Sequence, residues 1–333
     1  MNQLLTLLKT PVRVAAGLFA AALLAAAQGG IARPGTVNYT EGQVSLNGRE
    51  LGSAQIGKAE VAPGQVLETA NGRAEMLLLP GAYLRLGQDS AVRMVSPSLT
   101  DTRVELVKGH VLVEVDTLVK ENHLEIVDGG THSTIEKKGI YAFRAEQPAI
   151  QVYDGKAAVT VADRTVDVGK GKELLLTADS RLKPRKFDRE RTDQLYAWSK
   201  VRSGYLAEAN LSSAQVVVAD NPAWWAGTGW YWNPWYDTWA FVPGAGYLYS
   251  PFGYGFYSPA YWYYNPPLYY YGGRPWRGGG FRRGVIAGRA APAGGSGLRF
   301  SAPAGRGIAA PAPSMHAPAM GGGMHFGGLA GRR

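Results

Sequence analysis

From about Gly35 to Thr177, apolar and polar residues alternate in short runs, with turn residues recurring every 8–12 positions. A period of two sends successive side chains to opposite faces of a strand, so these runs predict strands with one buried face. Arg73–Leu79 runs into Pro80-Gly81 and leaves as Tyr83–Leu86. Thr102–Val107 meets Lys108-Gly109 and returns as His110–Val115, and Ala149–Tyr153 turns at Asp154-Gly155 into Ala157–Val161. Each of the three reads as a β-hairpin. A short echo, Gly81-Ala82-Tyr83 before Arg85 and Gly139-Ile140-Tyr141 before Arg144, suggests repeated hairpin units. The expected fold class is mainly β, either β-solenoid-like or a sandwich of stacked hairpins over residues 33–183.

The period then changes. Within residues 184–211, Leu195, Trp198, Val201 or Arg202, Tyr205 and Ala209 recur at three- and four-residue steps. This predicts one amphipathic helix packing on the β-domain, with Asp188 as its N-cap. Residues 216–271 follow as an irregular aromatic segment. Eight of the nine tryptophans and twelve of the eighteen tyrosines lie between Trp224 and Trp276. Turns are expected at Asn233-Pro234, Val242-Pro243-Gly244, Ser250-Pro251 and Ser258-Pro259, and very short strands at Gly246–Tyr249 and Gly253–Tyr257. So many rings on a Gly/Pro-broken chain cannot all enter a core of their own. They must wrap onto the β-domain and helix, contact a sugar or a protein, or contact another copy. Trp230, Trp232, Trp235, Tyr236 and Trp262 are the candidate contact residues.

Charge sharpens the division. The chain carries a net +9. Residues 33–183 hold 18 Lys+Arg and 20 Asp+Glu, whereas residues 221–333 hold nine Arg, no Lys and the single acid Asp237. Residues 272–333 are rich in Gly, Ala, Pro and Arg without periodicity, which predicts a disordered tail. Its Arg274, Arg277, Arg282 and Arg283 are candidates for polyanion binding. At the other end Lys9 and Arg13 precede an apolar run from Val14 to Ala27, and Ala25-Ala26-Ala27 offers a cleavage site before Gln28. Fourteen helical residues span roughly 21 Å, short of a bilayer core of about 30 Å. Residues 1–27 are therefore expected to be a cleaved signal peptide, leaving no transmembrane span. The alternative is retention as an anchor. The chain has no cysteine, so neither disulfides nor thiol chemistry contributes to the exported protein.

Catalytic signals are weak. His110, His123, His132, His316 and His325 stand at no metal-binding spacing, and a hairpin turn accounts for Asp128, His132 and Ser133 without a triad. Glu105 and Glu114 alternate with basic residues as on a solvated sheet face. No enzyme, metal or cofactor is expected.

An ordered series of motifs resembles the FecR-type periplasmic domain from Gly35 to about Leu176. It comprises Gly64-Gln65-Val66-Leu67-Glu68-Thr69, Gly72-Arg73-Ala74-Glu75-Met76 and Gly81-Ala82-Tyr83-Leu84-Arg85-Leu86. Ser90-Ala91-Val92-Arg93-Met94, then Glu105-Leu106-Val107-Lys108-Gly109 with His110–Glu114, and Val152-Tyr153-Asp154-Gly155-Lys156-Ala157 complete it. The resemblance implies a periplasmic binding module. Members of that family include transmembrane regulators that hold a sigma factor on the cytoplasmic side. Only eight uncharged residues precede the signal here, so no cytoplasmic anti-sigma region is expected. These features predict a non-enzymatic exported protein of the periplasm or outer membrane, binding a ligand or protein through its β-domain and aromatic surface. An envelope protein or glycan is the expected partner, with anionic lipid or lipopolysaccharide as a further target; export argues against nucleic acid. The alternatives are a component of a sigma-regulator-type signalling system, and a polyanion-binding protein acting through its arginine tail.

Overall fold

The structure is a computed structural model and describes residues 32–176, 182–220, 228–264, 269–271 and 274–276. The expected signal peptide and most of the expected tail lie outside these residues. Strands β1 (Val37–Leu46), β2 (Arg49–Glu50), β3 (Val66–Leu79), β4 (Ala82–Leu86), β5 (Ala91–Ser98), β6 (Asp101–Lys108) and β7 (His110–Val115) come first. They continue as β8 (His123–Asp128), β9 (Thr131–Ile135), β10 (Gly139–Arg144), β11 (Ala149–Asp154), β12 (Lys156–Val161), β13 (Arg164–Gly169), β14 (Lys172–Leu175) and β15 (Arg185–Lys186). The mainly β fold matches the sequence pattern.

Its connectivity does not. The fifteen strands form one open sheet in the order β13-β12-β9-β8-β6-β5-β3-β4-β7-β10-β11-β14-β15, with β1 also on β3 and β2 on β1. Yet β13, at one end, lies beside β11 and β14 near the other. The sheet folds over into a sandwich about one core of mainly Val, Leu, Ile and Met, to which β1, β3–β14 and the loops between them contribute, β10 through Tyr141 and Phe143. The fourteen-residue β3 joins the two layers: its first part pairs with β5 and its last part with β4.

Only the Pro80-Gly81 turn closes a hairpin of the three expected. β6 and β7 do not pair, nor do β11 and β12. At Lys108-Gly109 and Asp154-Gly155 the chain passes from one layer to the other. Both glycines take positive φ, and a side chain on Gly155 would strike the Tyr141 hydroxyl at 2.1 Å. The Gly-x-Tyr echo marks β4 and β10, which flank β7. Tyr83 pairs with Glu114, whereas Tyr141 pairs with Val113. That offset of one residue turns the two rings to opposite faces, so the echo is not a structural repeat.

Helix α1 (Gln194–Asp220) starts later and runs further than residues 184–211. Its cap is Asp193, not Asp188: the Asp193 carboxylate accepts the Tyr196 N–H at 2.8 Å. The buried face also differs. Leu195, Ser199, Arg202, Ser203, Leu206, Ala209, Asn210, Ser213 and Ala214 point inward, while Val201 is 71% exposed and Tyr205 44%. Beyond α1 the aromatic segment forms hairpins β16 (Gly229–Asn233) with β17 (Thr238–Val242) and β18 (Tyr247–Tyr249) with β19 (Gly255–Tyr257). Ser258-Pro259 begins a helix rather than a turn, α2 (Pro259–Tyr264). Ser258 Oγ accepts the Tyr261 N–H at 3.1 Å, and Pro259 occupies the first helical position, where a missing N–H does no harm. β20 (Tyr269–Tyr271) and β21 (Arg274–Trp276) pair beyond it.

Candidate functional site

One layer carries a second buried surface on its outer side. Along β3, β4 and β7, the residues facing away from the sandwich core are Glu75, Leu77, Tyr83, Arg85, Leu112 and Glu114, all fully buried. Helix α1 and hairpin β16–β17 cover them. Glu114 is therefore not on a solvated face, although Glu105 is: its pair with Arg93 at 2.5 Å lies at the surface. Arg85 bonds its cross-strand partner Glu75 at 2.8 Å and Glu114 at 2.6 Å. From the helix, Arg202 reaches Glu75 at 3.1 Å and Thr238 at 2.7 Å, and Ser203 donates to Glu114 at 2.7 Å. Two guanidinium groups balance two carboxylates, which a dry interface requires. Burial pushes the Glu75 carboxyl up, but Arg202 and Arg85 outweigh it and hold it below the usual range. Asp116 is the unmatched acid. Among the described residues neither of its oxygens has a donor, and burial, with the Glu114 carboxylate beside it, raises its carboxyl well above the usual range.

Three buried asparagines fasten the aromatic segment, each using its amide as a substitute peptide group. Asn38 accepts the Trp239 N–H at 2.8 Å and donates to the Trp239 carbonyl at 3.1 Å. Asn210 donates to the Phe241 carbonyl at 2.9 Å and accepts the Tyr257 N–H at 2.8 Å. Asn233 donates to the Ala209 carbonyl at 3.0 Å and accepts the Trp235 N–H at 3.0 Å. Trp239, Phe241 and Phe256 are buried against Leu77, Tyr83 and Leu206. Trp232 packs edge-on to Trp239 at 5.5 Å and lies over Gly57, where an added Cβ would sit 2.2 Å from its ring.

This arrangement divides the candidate contact residues. Trp230 and Trp232 are half-buried in the annex. Trp262 is half-buried on α2. Trp235 is 75% exposed on a turn pinned by the Asn233 side chain, and Tyr236 beside it stacks edge-on against Tyr205 at 5.1 Å. Arg274 opens β21, opposite Tyr271. Arg277, Arg282 and Arg283 lie outside the described residues.

Next to Tyr236 is a cleft of about 230 Å³ lined by Tyr39, Trp198, Val201, Arg202 and Tyr205. The Arg202 guanidinium stands 4.5 Å from the Tyr39 ring centre and 5.4 Å from that of Tyr205. Trp198 donates its indole N–H to Glu41 at 3.0 Å, and Arg73 bonds the same carboxylate at 3.2 Å while lying over the indole at 5.9 Å. Aromatic faces thus stand fixed around a few charged groups already paired with one another. Sequence reasoning placed Trp198 and Tyr205 in the packing stripe and left out Tyr39. A residue of β1 and one turn of α1 become neighbours only after folding.

No family model matches the chain, and no curated protein matches it. Among solved structures, two crystal structures of a candidate anti-sigma factor from Parabacteroides distasonis ATCC 8503, at 2.50 and 1.65 Å resolution, are similar to it, with a TM-score of 0.34 each. They share 13% and 12% identity with it over 40% of this chain. The chain spans 64% of the length of those neighbours.

Proposed function

We propose that this protein is a non-catalytic binding protein of the cell envelope, and that it holds a saccharide in the cleft formed by Tyr39, Trp198 and Tyr205, with Trp235 as an outlying contact. One observation carries the reading: Tyr205 is exposed and Tyr39 and Trp198 are half-buried, with Arg202 held against both tyrosine rings and Glu41 and Arg73 holding the indole, while Trp235 stands exposed on the turn pinned by Asn233. Rigid aromatic faces beside hydrogen-bonding groups suit pyranose rings, which present C–H faces and hydroxyl edges. The test is a tryptophan-fluorescence titration with cello- and chito-oligosaccharides. A saturable change that survives added salt is expected, because stacking is not screened as charge pairs are. Joint Trp198→Ala and Trp235→Ala replacement should abolish it. Undiminished binding by that variant, or no binding of any oligosaccharide by the full chain, would overturn the reading.

A further inference from the structure

A separate cavity lies at the open end of the sandwich, where the β8–β9 turn of one layer meets the β10–β11 turn and the end of β14 from the other. Its volume is about 350 Å³. Leu124, Ile126 and Asp128 form the inward row of β8. The first two enter the core; the third, at the end of the row, is an acid only 6% exposed. Asp128 lines the cavity, and its Oδ2 has no hydrogen-bond partner among the described residues. The other charges at the rim, Arg93 and Glu105, are cross-strand partners and neutralise each other at 2.5 Å. Val107, Pro148 and Leu176 supply apolar wall, and Thr131, across the turn from Asp128, a hydroxyl.

An acid placed at an inward position without a donor is unfavourable unless something pairs with it. Burial pushes its carboxyl up to about 6. We propose that this cavity is a binding site for a primary alkylammonium group, with Asp128 as the carboxylate that pairs with it and the Val107, Pro148 and Leu176 wall receiving the aliphatic stem. Among the described residues the cavity carries one uncompensated negative charge, which selects a monocation over an anion. A single carboxylate beside aliphatic walls suits an organic cation better than a metal ion, which needs several oxygen ligands. The ammonium could belong to a free amine or to a lysyl side chain. This site does not depend on the aromatic cleft, so either reading can fail alone.

The experiment uses the full chain and follows binding by NMR and calorimetry. The probes are n-butylammonium, its neutral counterpart 1-butanol, and N-acetyl-lysine amide. Saturable binding of n-butylammonium is expected, weakened about tenfold or more in 1-butanol and by Asp128→Asn, as befits one charge-assisted pair. N-acetyl-lysine amide binding more tightly than n-butylammonium assigns the site to a lysyl end; weaker binding assigns it to a free amine. Val107→Trp, at a half-exposed wall position, should block the cavity while leaving Asp128 in place. Equal affinity for 1-butanol, undiminished binding by folded Asp128→Asn, or no saturable binding of either ammonium would overturn the proposal.

Discussion

Arg202 of α1 and Glu75 of β3, 127 positions apart, meet at 3.1 Å beneath the helix, with no water-exposed surface left on Glu75. Through Thr238 the same guanidinium also holds the first aromatic hairpin. Sheet, helix and hairpin are thus joined at one side chain. Replacing Arg202 by Met should keep most of the volume yet leave Glu75 under-compensated. A loss of about 3–5 kcal/mol in urea unfolding is expected, the range for one partner removed from a buried pair. The double variant with Glu75→Gln should recover part of it, and a strictly additive double variant would refute the coupling.

Asp116 predicts a pH dependence. Its folded value lies above the ordinary 3.8, so the folded protein keeps a proton that the unfolded chain has released. Stability from this group is complete below the unfolded value and is lost as pH rises toward the folded one. Asp116→Asn has no such proton. Unfolding free energies should differ little at about pH 4 and increasingly favour the variant by about pH 8. Asp128→Asn should show the same sign, levelling off above about 6.

Two tryptophans four residues apart should behave oppositely. Trp239 is 6% exposed and bonded through its indole N–H to the Gly57 carbonyl at 2.7 Å. Trp239→Ala should cost about 3–5 kcal/mol in thermal unfolding. Trp235→Ala should stay within about 0.5 kcal/mol of the parent, since its ring rests in solvent. Its effect should appear only in oligosaccharide binding.

Gly57→Ala tests the seat of Trp232. Gly57 has φ of +75°, and a Cβ there meets the indole at 2.2 Å. A loss of about 2 kcal/mol or more, with a shifted tryptophan emission, is expected from strain and displaced packing together.

Ending the chain after Leu211 removes the aromatic hairpins and uncovers Tyr83, Leu77 and the Arg85–Glu75 pair. Calorimetry should show loss of the single cooperative transition. A cooperative transition of unchanged midpoint would show that the β-layers stand without their annex.

Much of the fold was legible in the chain. Period-two runs located strands such as Thr102–Val107, because a half-buried strand writes its two faces into alternate residues. The helix was legible as a helix but not in its orientation. Its inward face carries Ser199, Arg202, Ser203, Asn210 and Ser213, so the apolar stripe pointed to its flank. Arg202 and Ser203 can be buried there because Glu75, Glu114 and Thr238 receive them, and Asn210 because the Phe241 carbonyl and the Tyr257 N–H do; those partners are remote in sequence.

Strand content, one helix and an excess of aromatic residues beyond it were determined by the sequence itself, since they follow from local periodicity and composition. Tertiary structure alone decided that β6 and β7 part company at Gly109, and that Glu114 is buried while Glu105 is not. It also decided that Trp239 is core while Trp235 is surface. Each of these depends on which layer lies opposite, and pairings between distant segments are set by the free energy of the whole packed arrangement rather than by any local signal.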